Sequence, residues 1–464
     1  MTWGHYAGAA IVLAVIVGVG VLSGRAVKSE RDFSGKSRSS NSGLIMGALL
    51  GTIIGGASTI GTAQLAYSHG LSAWWFTIGC ATGLLLFGTW LVKPLYASGH
   101  HTVPQIIGSE FGPLAAKTSA VLASIGTFLS VVAQLISAVA LITAVSALAN
   151  PVAIALMVVL VLAYITFGGA LGAGYAGLVK TVLLTSFVVI CAVLALRGVG
   201  GLSGLLDAPE LPHETFFNLN GRGFGLDGAA GASLVLGVLT EQAYVQTLVS
   251  AKGLRSSRKG ALFAAALVPI IGALGVLIGI SMRVTHPDIE SAMALPLFIM
   301  DNLPSLPAGM MLGTLLVVLV GSASGLSLGI ATVLTNDLLL PRLRRGDNAL
   351  ATIRLVLVGV LAVASVVAFS SSGGLILNWS FLSMGLRGAV AFWPLLAALF
   401  LRGRIDRRFV VPAMVCGPLG TALGAWLGPN SLDPVWFGVG AGLVVMTAGF
   451  IVQWRTKPRQ SGLQ

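Results

Sequence analysis

Charge is what this chain of 464 residues has least of: Asp, Glu, Lys and Arg make up 9 % of it, against about 25 % in a soluble globular domain. That deficit excludes an ordinary water-soluble fold. Hydrophobic residues reach 56 %, mean hydropathy is +0.93, and apolar runs long enough to cross hydrocarbon as helices, roughly 20 residues each, recur along the chain. The protein therefore reads as a polytopic membrane protein with no soluble domain between its spans. Cysteine is also scarce. Cys80, Cys191 and Cys416 each fall inside an apolar run, so no disulfide framework is expected. Clustered metal ligands are missing too: His100 and His101 are adjacent rather than at the i, i+4 spacing that aims two ligands at one ion, and His5, His69, His213 and His286 are scattered. A metal-dependent membrane enzyme and a bound cofactor are accordingly not expected. The first run, 6–22, lacks a basic segment before it and a cleavage site after it, and is read as a helix of the mature protein rather than a signal peptide.

The net charge of +12 would point to nucleic acid in a soluble protein. Here the basic residues mark topology, and no nucleic-acid partner is expected. Arg25, Lys28, Arg31, Lys36 and Arg38 follow the first run, and Lys252, Arg255, Arg258 and Lys259 lie together later. Arg342, Arg344 and Arg345 form a third cluster and Arg402, Arg404, Arg407 and Arg408 a fourth, with Arg455, Lys457 and Arg459 near the C-terminus. Other loops are acidic, with Asp207, Glu210, Glu214 and Asp227 in one and Asp288, Glu290 and Asp301 in another. The positive-inside rule then places the N-terminus outside and the C-terminus in the cytoplasm of a multi-pass protein of the cell (inner or plasma) membrane.

About 13 helices are expected, at 6–22, 44–67, 73–96, 118–148, 152–167, 172–196, 230–249, 261–282, 309–340, 353–369, 375–401, 409–427 and 435–452, with a short amphipathic piece at 102–111. The stretch 51–70 is too rich in glycine and hydroxyl residues for one unbroken helix. Gly51, Gly55, Gly56 and Gly61 each lower helix propensity by roughly 1 kcal/mol against alanine, and a broken span survives in lipid only where protein or a wet cavity surrounds it. Setting aside the extra N-terminal helix 6–22 and the two C-terminal helices 409–452 leaves a first repeat, 44–196, and a second, 230–401, which enter from opposite sides. The fold class is all-α, a single transmembrane transporter domain over 1–464 with a 5+5 inverted-repeat core.

Ionisable side chains inside a span are functional candidates by default. Lys180 lies about two turns into its helix and Arg387 near the middle of 375–401, while Glu241 and Asp337 lie nearer to helix ends as interfacial groups or partners. Snorkelling of Lys180 to the headgroups and a structural ion pair for Arg387 are the plainer alternatives. The solute site is expected near the midplane. There the half-helix starting around Ser58 offers free N–H groups and a positive dipole end to a carboxylate, with Ser58, Thr77, Cys80 and Gln134 as polar neighbours and Arg387 as a planar fork for the same group.

Several segments, taken in order, carry a resemblance: RDFSGKSRS after the first helix, ASTIGTAQLAYSHGL in the broken span, HTVPQIIGSEFG in the loop after the third, YITFGGALGAGYAGLVK across the fifth and sixth, EQAYVQTLVSAK ending the seventh, and LPAGMMLGTLLVVLVGSASGLSLGIATVLTND in the ninth. Together they resemble the sodium:solute symporter family, which shares the LeuT-type fold, over most of the chain. The resemblance implies a sodium held where the broken helix meets the ninth, by backbone carbonyls of Gly51, Ile54 and Val318 and by hydroxyls at the positions of Gly321 and Ser322. Gly321 has no hydroxyl, and Thr52 and Ser324 are the nearby substitutes. Similar symporters carry an aspartate where this chain has Gly177 and a glutamine where it has Lys180, and both changes add positive charge near the cation path. Leu234 and Gly237 stand where related symporters bind sugars, and neither side chain bonds a hydroxyl, so a sugar is not expected.

The expected function is cation-coupled uptake of a small carboxylate or amino-acid-like solute by alternating access, as sodium symport, through a monomer or weak homo-oligomer. The first alternative is a sodium-independent transporter, proton-coupled or uncoupled, in which Lys180 replaces the ion. The second is a transporter-like sensor working with a separate signalling partner.

Overall fold

The computed structural model of the chain describes residues 2–24, 40–146, 148–167, 170–339, 349–371, 374–429 and 431–456. Arg25, Lys28, Arg31, Lys36, Arg38, Arg342, Arg344, Arg345, Lys457 and Arg459 lie outside the described residues, as does RDFSGKSRS, and the side chain of Asp337 is not described. Apart from one bridge between Ser40 and Ala251, regular structure among the described residues is helical. The first half runs α1 (Trp3–Gly24), α2 (Ser42–Ile53), α3 (Thr62–His69), α4 (Trp75–Leu86), α5 (Val92–Ser98), α6 (Val103–Phe111), α7 (Pro113–Val145), α8 (Asn150–Phe167) and α9 (Ala170–Gly198). Two short turns, α10 (Gly201–Leu206) and α11 (His213–Phe216), cross to the second half. There follow α12 (Phe224–Thr240), α13 (Gln242–Val249), α14 (Leu254–Thr285), α15 (Ala294–Asn302), α16 (Ser305–Val333), α17 (Ala349–Ser370), α18 (Ile376–Phe400), α19 (Val410–Leu427) and α20 (Val435–Thr456).

Among the described residues nine helices are long and apolar enough to cross a membrane, and the bent pair α12 and α13 makes a tenth. The expected thirteen is reached by also counting the shorter apolar helices Trp3–Gly18 and Asn150–Ile165 and by dividing the run Ala57–Ser98 at Gly70, whose φ is +61°, with Ser42–Ile53 joined to its first part. The amphipathic piece expected at 102–111 is α6. Thr102 caps it by accepting from the Gln105 N–H at 3.2 Å, with proline in its first turn, where no N–H is needed.

The break expected in 51–70 is present. Helix α2 stops at Ile53, Ile54 is extended, and a π-type turn, Ala57–Gly61, leads into α3. The sequence predicts one unbroken span over 230–249, and here the structure differs. The chain turns by 48° between α12 and α13, with Glu241 extended at the joint. An inverted repeat makes this bend the counterpart of the first. The Thr240 hydroxyl donates back to the Leu236 carbonyl at 2.8 Å, closing the last turn of α12 on itself.

Helices α16 and α18 each pack on α7, α7 and α18 both contact the turn of the first break, and α18 also packs along α12 at the second. Small residues bring the backbones close, as in other membrane bundles. A Cβ at Gly51 of α2 would lie 2.8 Å from the Cα of Gly177 in α9. On α1, Gly4 and Gly8 face Ser305, Leu306 and Met310 of α16, whose Gly309 and Gly313 in turn face His5 and Ala9. The extra N-terminal helix is therefore seated along a glycine seam. Replacing Gly309 by leucine should push α1 off α16 and lower the unfolding midpoint in detergent by several degrees, the scale of about 1–3 kcal/mol of overpacking. Gly18→Leu, where a side chain meets nothing within 4 Å, should leave the midpoint in place, and equal effects of the two would contradict the seam.

Candidate functional site

The first break is closed by side chains rather than by backbone. The Gly55 N–H donates to Ser58 Oγ at 2.9 Å and the Gly56 N–H donates to Gln134 Oε1 at 2.9 Å. In an unbroken helix those two donors would serve the carbonyls of Gly51 and Thr52, one turn earlier. Both donors are therefore turned away from these carbonyls. Ser58 and Thr59 return hydroxyl protons to the Gly55 carbonyl at 3.1 and 2.8 Å. Gln134 comes from α7, one turn before Ser137, which backs directly onto Gly56. Ser58 and Gln134 are thus brought together, and both are buried.

Ser322 of α16 faces the same break. Its Oγ would lie 3.3 Å from a Cβ at Gly55, and it is enclosed without a hydrogen-bond partner among the described residues. Lys180 of α9 reaches the preceding residue: a Cβ at Gly321 would lie 3.5 Å from the Lys180 Nζ and 3.6 Å from the Tyr164 hydroxyl. The ammonium therefore stands beside the place from which a side chain at Gly321 would point. Among the described residues Lys180 makes no ion pair. The two nearby substitutes have other bonds, the Thr52 hydroxyl donating to the Ala48 carbonyl at 2.8 Å and that of Ser324 to the Val161 carbonyl at 3.4 Å. Val318 lies one turn before Ser322 on α16 and is buried.

At the second break Glu241 forms an ion pair with Arg387 of α18, and both side chains are buried. Glu241 also accepts from the Ala243 N–H at 3.4 Å, capping α13. Arg387 donates through Nη2 to Ser383 Oγ at 3.3 Å and to Ser130 Oγ at 3.5 Å, while the two serine hydroxyls lie 2.6 Å apart. Ser130 sits one turn before Gln134 on α7. One face of α7 therefore supports both breaks.

Of the remaining expected residues, Cys80 is fully buried within electrostatic range of Arg387. Thr77, one turn earlier on α4, backs onto Gly272 of α14 and donates to the Trp74 carbonyl at 3.3 Å. Leu234 packs on Gly79 and Gly237 on Met384, so both are packing positions. Sequence reasoning named Glu241 only as a possible partner near a helix end and passed over Ser130 and Ser383. The signal for Glu241 was the repeat itself, because a break in the second helix implies one five helices later.

A buried pair is costly to break and cheap to remove whole. Glu241→Gln and Arg387→Met should each destabilise the protein by about 3–5 kcal/mol, since each leaves a buried group without its counter-charge or partner. The double variant should recover most of that loss in thermal unfolding, and additive losses would contradict the pairing.

Comparison with known proteins places this geometry. The profile of the sodium:solute symporter family matches residues 38–417. YwcA of Bacillus subtilis (strain 168), described as an uncharacterized symporter, is 26 % identical over 155 residues, which are 33 % of this chain and 30 % of YwcA. A solved structure of a Na+-coupled sialic acid symporter, in a substrate-bound outward-open state, superposes with a TM-score of 0.78 at 17 % identity, covering 98 % of this chain and 99 % of that one. Mhp1, a nucleobase-cation-symport-1 family transporter in a closed conformation with bromovinylhydantoin bound, superposes with a TM-score of 0.58 at 14 % identity, over 91 % and 94 % of the two chains. The chain belongs to the sodium:solute symporter family: it is a multi-pass secondary transporter of the LeuT-type fold that handles a small solute, and not an enzyme.

Proposed function

We propose that this protein takes up a small carboxylate or amino-acid-like solute across the cell membrane by alternating access, and that the Lys180 ammonium takes the place of the coupling cation. The observation that carries this reading is the position of the Lys180 Nζ, 3.5 Å from where a Cβ of residue 321 would be, one residue before the buried Ser322 in sequence. Sodium needs oxygen ligands, and the set here is short by one because residue 321 is glycine. An ammonium supplies the same positive charge toward the Gly51 carbonyl, and toward Ile54, Val318 and Ser322, without needing that ligand. Transport is then proton-coupled or uncoupled.

The solute lodges between the two breaks, against Ser58, Gln134, Cys80 and Thr77. Arg387, already engaged by Glu241, orders the second break beneath it. Within one domain built from the repeats 44–196 and 230–401, a four-helix bundle rocks against its scaffold, with the N-terminus outside. Gly55 and Gly56 serve as the joint of the first break.

Classical sodium symport is the second reading, favoured by the Ser322 hydroxyl, which has no partner among the described residues. Thermal unfolding of the purified protein in sodium, potassium or choline separates the two. The proposal expects no sodium-specific shift in the wild type and a shift of several degrees in Lys180→Ala, where sodium enters the space the ammonium leaves. A sodium-specific shift in the wild type would establish the second reading instead.

A further inference from the structure

On the side of the bundle that carries the loop between α9 and α12, a cavity of ≈ 230 Å³ lies among the first turns of α12 and α18 and the approach to α20. It is smaller than the roughly 300 Å³ at which drug-sized pockets begin and several times the roughly 30 Å³ share of one water. Its polar lining is Arg222, Asn378 and Asp433, and Phe381, Leu226 and Ala230 form much of its apolar wall.

The hydrogen bonds around it leave capacity in one direction. Asp227 is saturated. Its Oδ1 takes the Arg222 Nε and Nη2 at 2.7 and 2.6 Å, and its Oδ2 takes the Arg222 backbone N–H at 2.9 Å and the Ser72 hydroxyl at 3.0 Å. That pair neutralises Arg222 while leaving the other edge of its guanidinium uncommitted among the described residues. Asp433 spends Oδ1 on the Val435 N–H at 2.9 Å and forms no ion pair among the described residues. The Asn378 side-chain amide has no partner among them either. One uncompensated negative charge therefore faces the cavity, together with donors from Arg222 and Asn378 and the ring of Phe381.

We propose that this cavity binds a small amine-bearing molecule of amino-acid size, its ammonium on Asp433 and an oxygen on Arg222 and Asn378. This is a second site, on different residues from those at the breaks. A bound ammonium relieves the one strained group there. Burial pushes the Asp433 carboxyl up from its ordinary value, against the opposing pull of the Val435 N–H and of Arg222. A carboxyl whose folded-state pKa is raised costs stability above that pKa, and the cost disappears as pH falls below the unfolded-state value. Asp433→Asn should therefore raise the unfolding midpoint at neutral pH, and asparagine caps α20 as aspartate does.

The test is titration of the full-length protein with ethanolamine, followed by thermal unfolding, with acetate and ethylene glycol as controls. Saturable stabilisation by ethanolamine alone is expected in the wild type and in Lys180→Ala. It should weaken at least tenfold in Asp433→Asn and in Asn378→Leu, which replaces the amide with an apolar side chain of the same shape. No saturable effect in the wild type overturns the proposal, as does an effect that survives in Asp433→Asn. Stabilisation lost only in Lys180→Ala would place the amine at the first break and overturn it equally. Because retention in Lys180→Ala is expected whatever the coupling ion, failure here leaves the transport reading to its own experiment.

Discussion

A helix can be interrupted inside hydrocarbon only where protein supplies the hydrogen bonds that the interruption removes, and the core of this transporter is arranged around that constraint. Two spans are broken, at Ile54–Gly56 and at Glu241. Both depend on one face of α7. Gln134 accepts from the Gly56 N–H at the first break, and one turn earlier Ser130 accepts from the Arg387 guanidinium that holds Glu241 at the second. A single rigid helix thus carries the supports of both joints, and α16 and α18 pack against it to complete the enclosure.

The buried charges divide along the same line. Arg387 and Glu241 cancel each other and contribute geometry rather than net charge, since a buried pair is weak in stability terms and specific in arrangement. Lys180 has no counter-charge among the described residues. It lies on α9 one turn after Gly177, where α9 closely approaches Gly51 of α2, and its Nζ reaches toward Gly321 of α16. An aspartate at residue 177 would have to fit against the Gly47 carbonyl, 3.3 Å from a Cβ there. Glycine at 177 and lysine at 180 are thus two departures on the same face of one helix, each adding positive character to the same place.

The architecture was legible because its causes are local or periodic. Apolar run lengths marked the spans, Thr102 and the proline after it marked α6, and four glycines with interspersed hydroxyls marked the first break. The second break was missed because it turns on one residue, Glu241, in a stretch with no glycine cluster, so that only the repeat symmetry implied it. The Arg387 pair was one of two alternatives, since nothing local ties a residue in α18 to one at the end of α12. The cavity at Asp433 was not legible at all. Its lining comes from three segments far apart in sequence, and burial of Asp433 follows only from their packing.

The most direct measurement is equilibrium binding of radioactive sodium to the purified wild-type protein, free of any solute. If the Lys180 ammonium occupies the cation's place, the wild type shows no saturable sodium binding under conditions in which a known sodium-coupled symporter does. Saturable, stoichiometric binding in the wild type would contradict that assignment and return the ion to Gly51, Ile54, Val318 and Ser322.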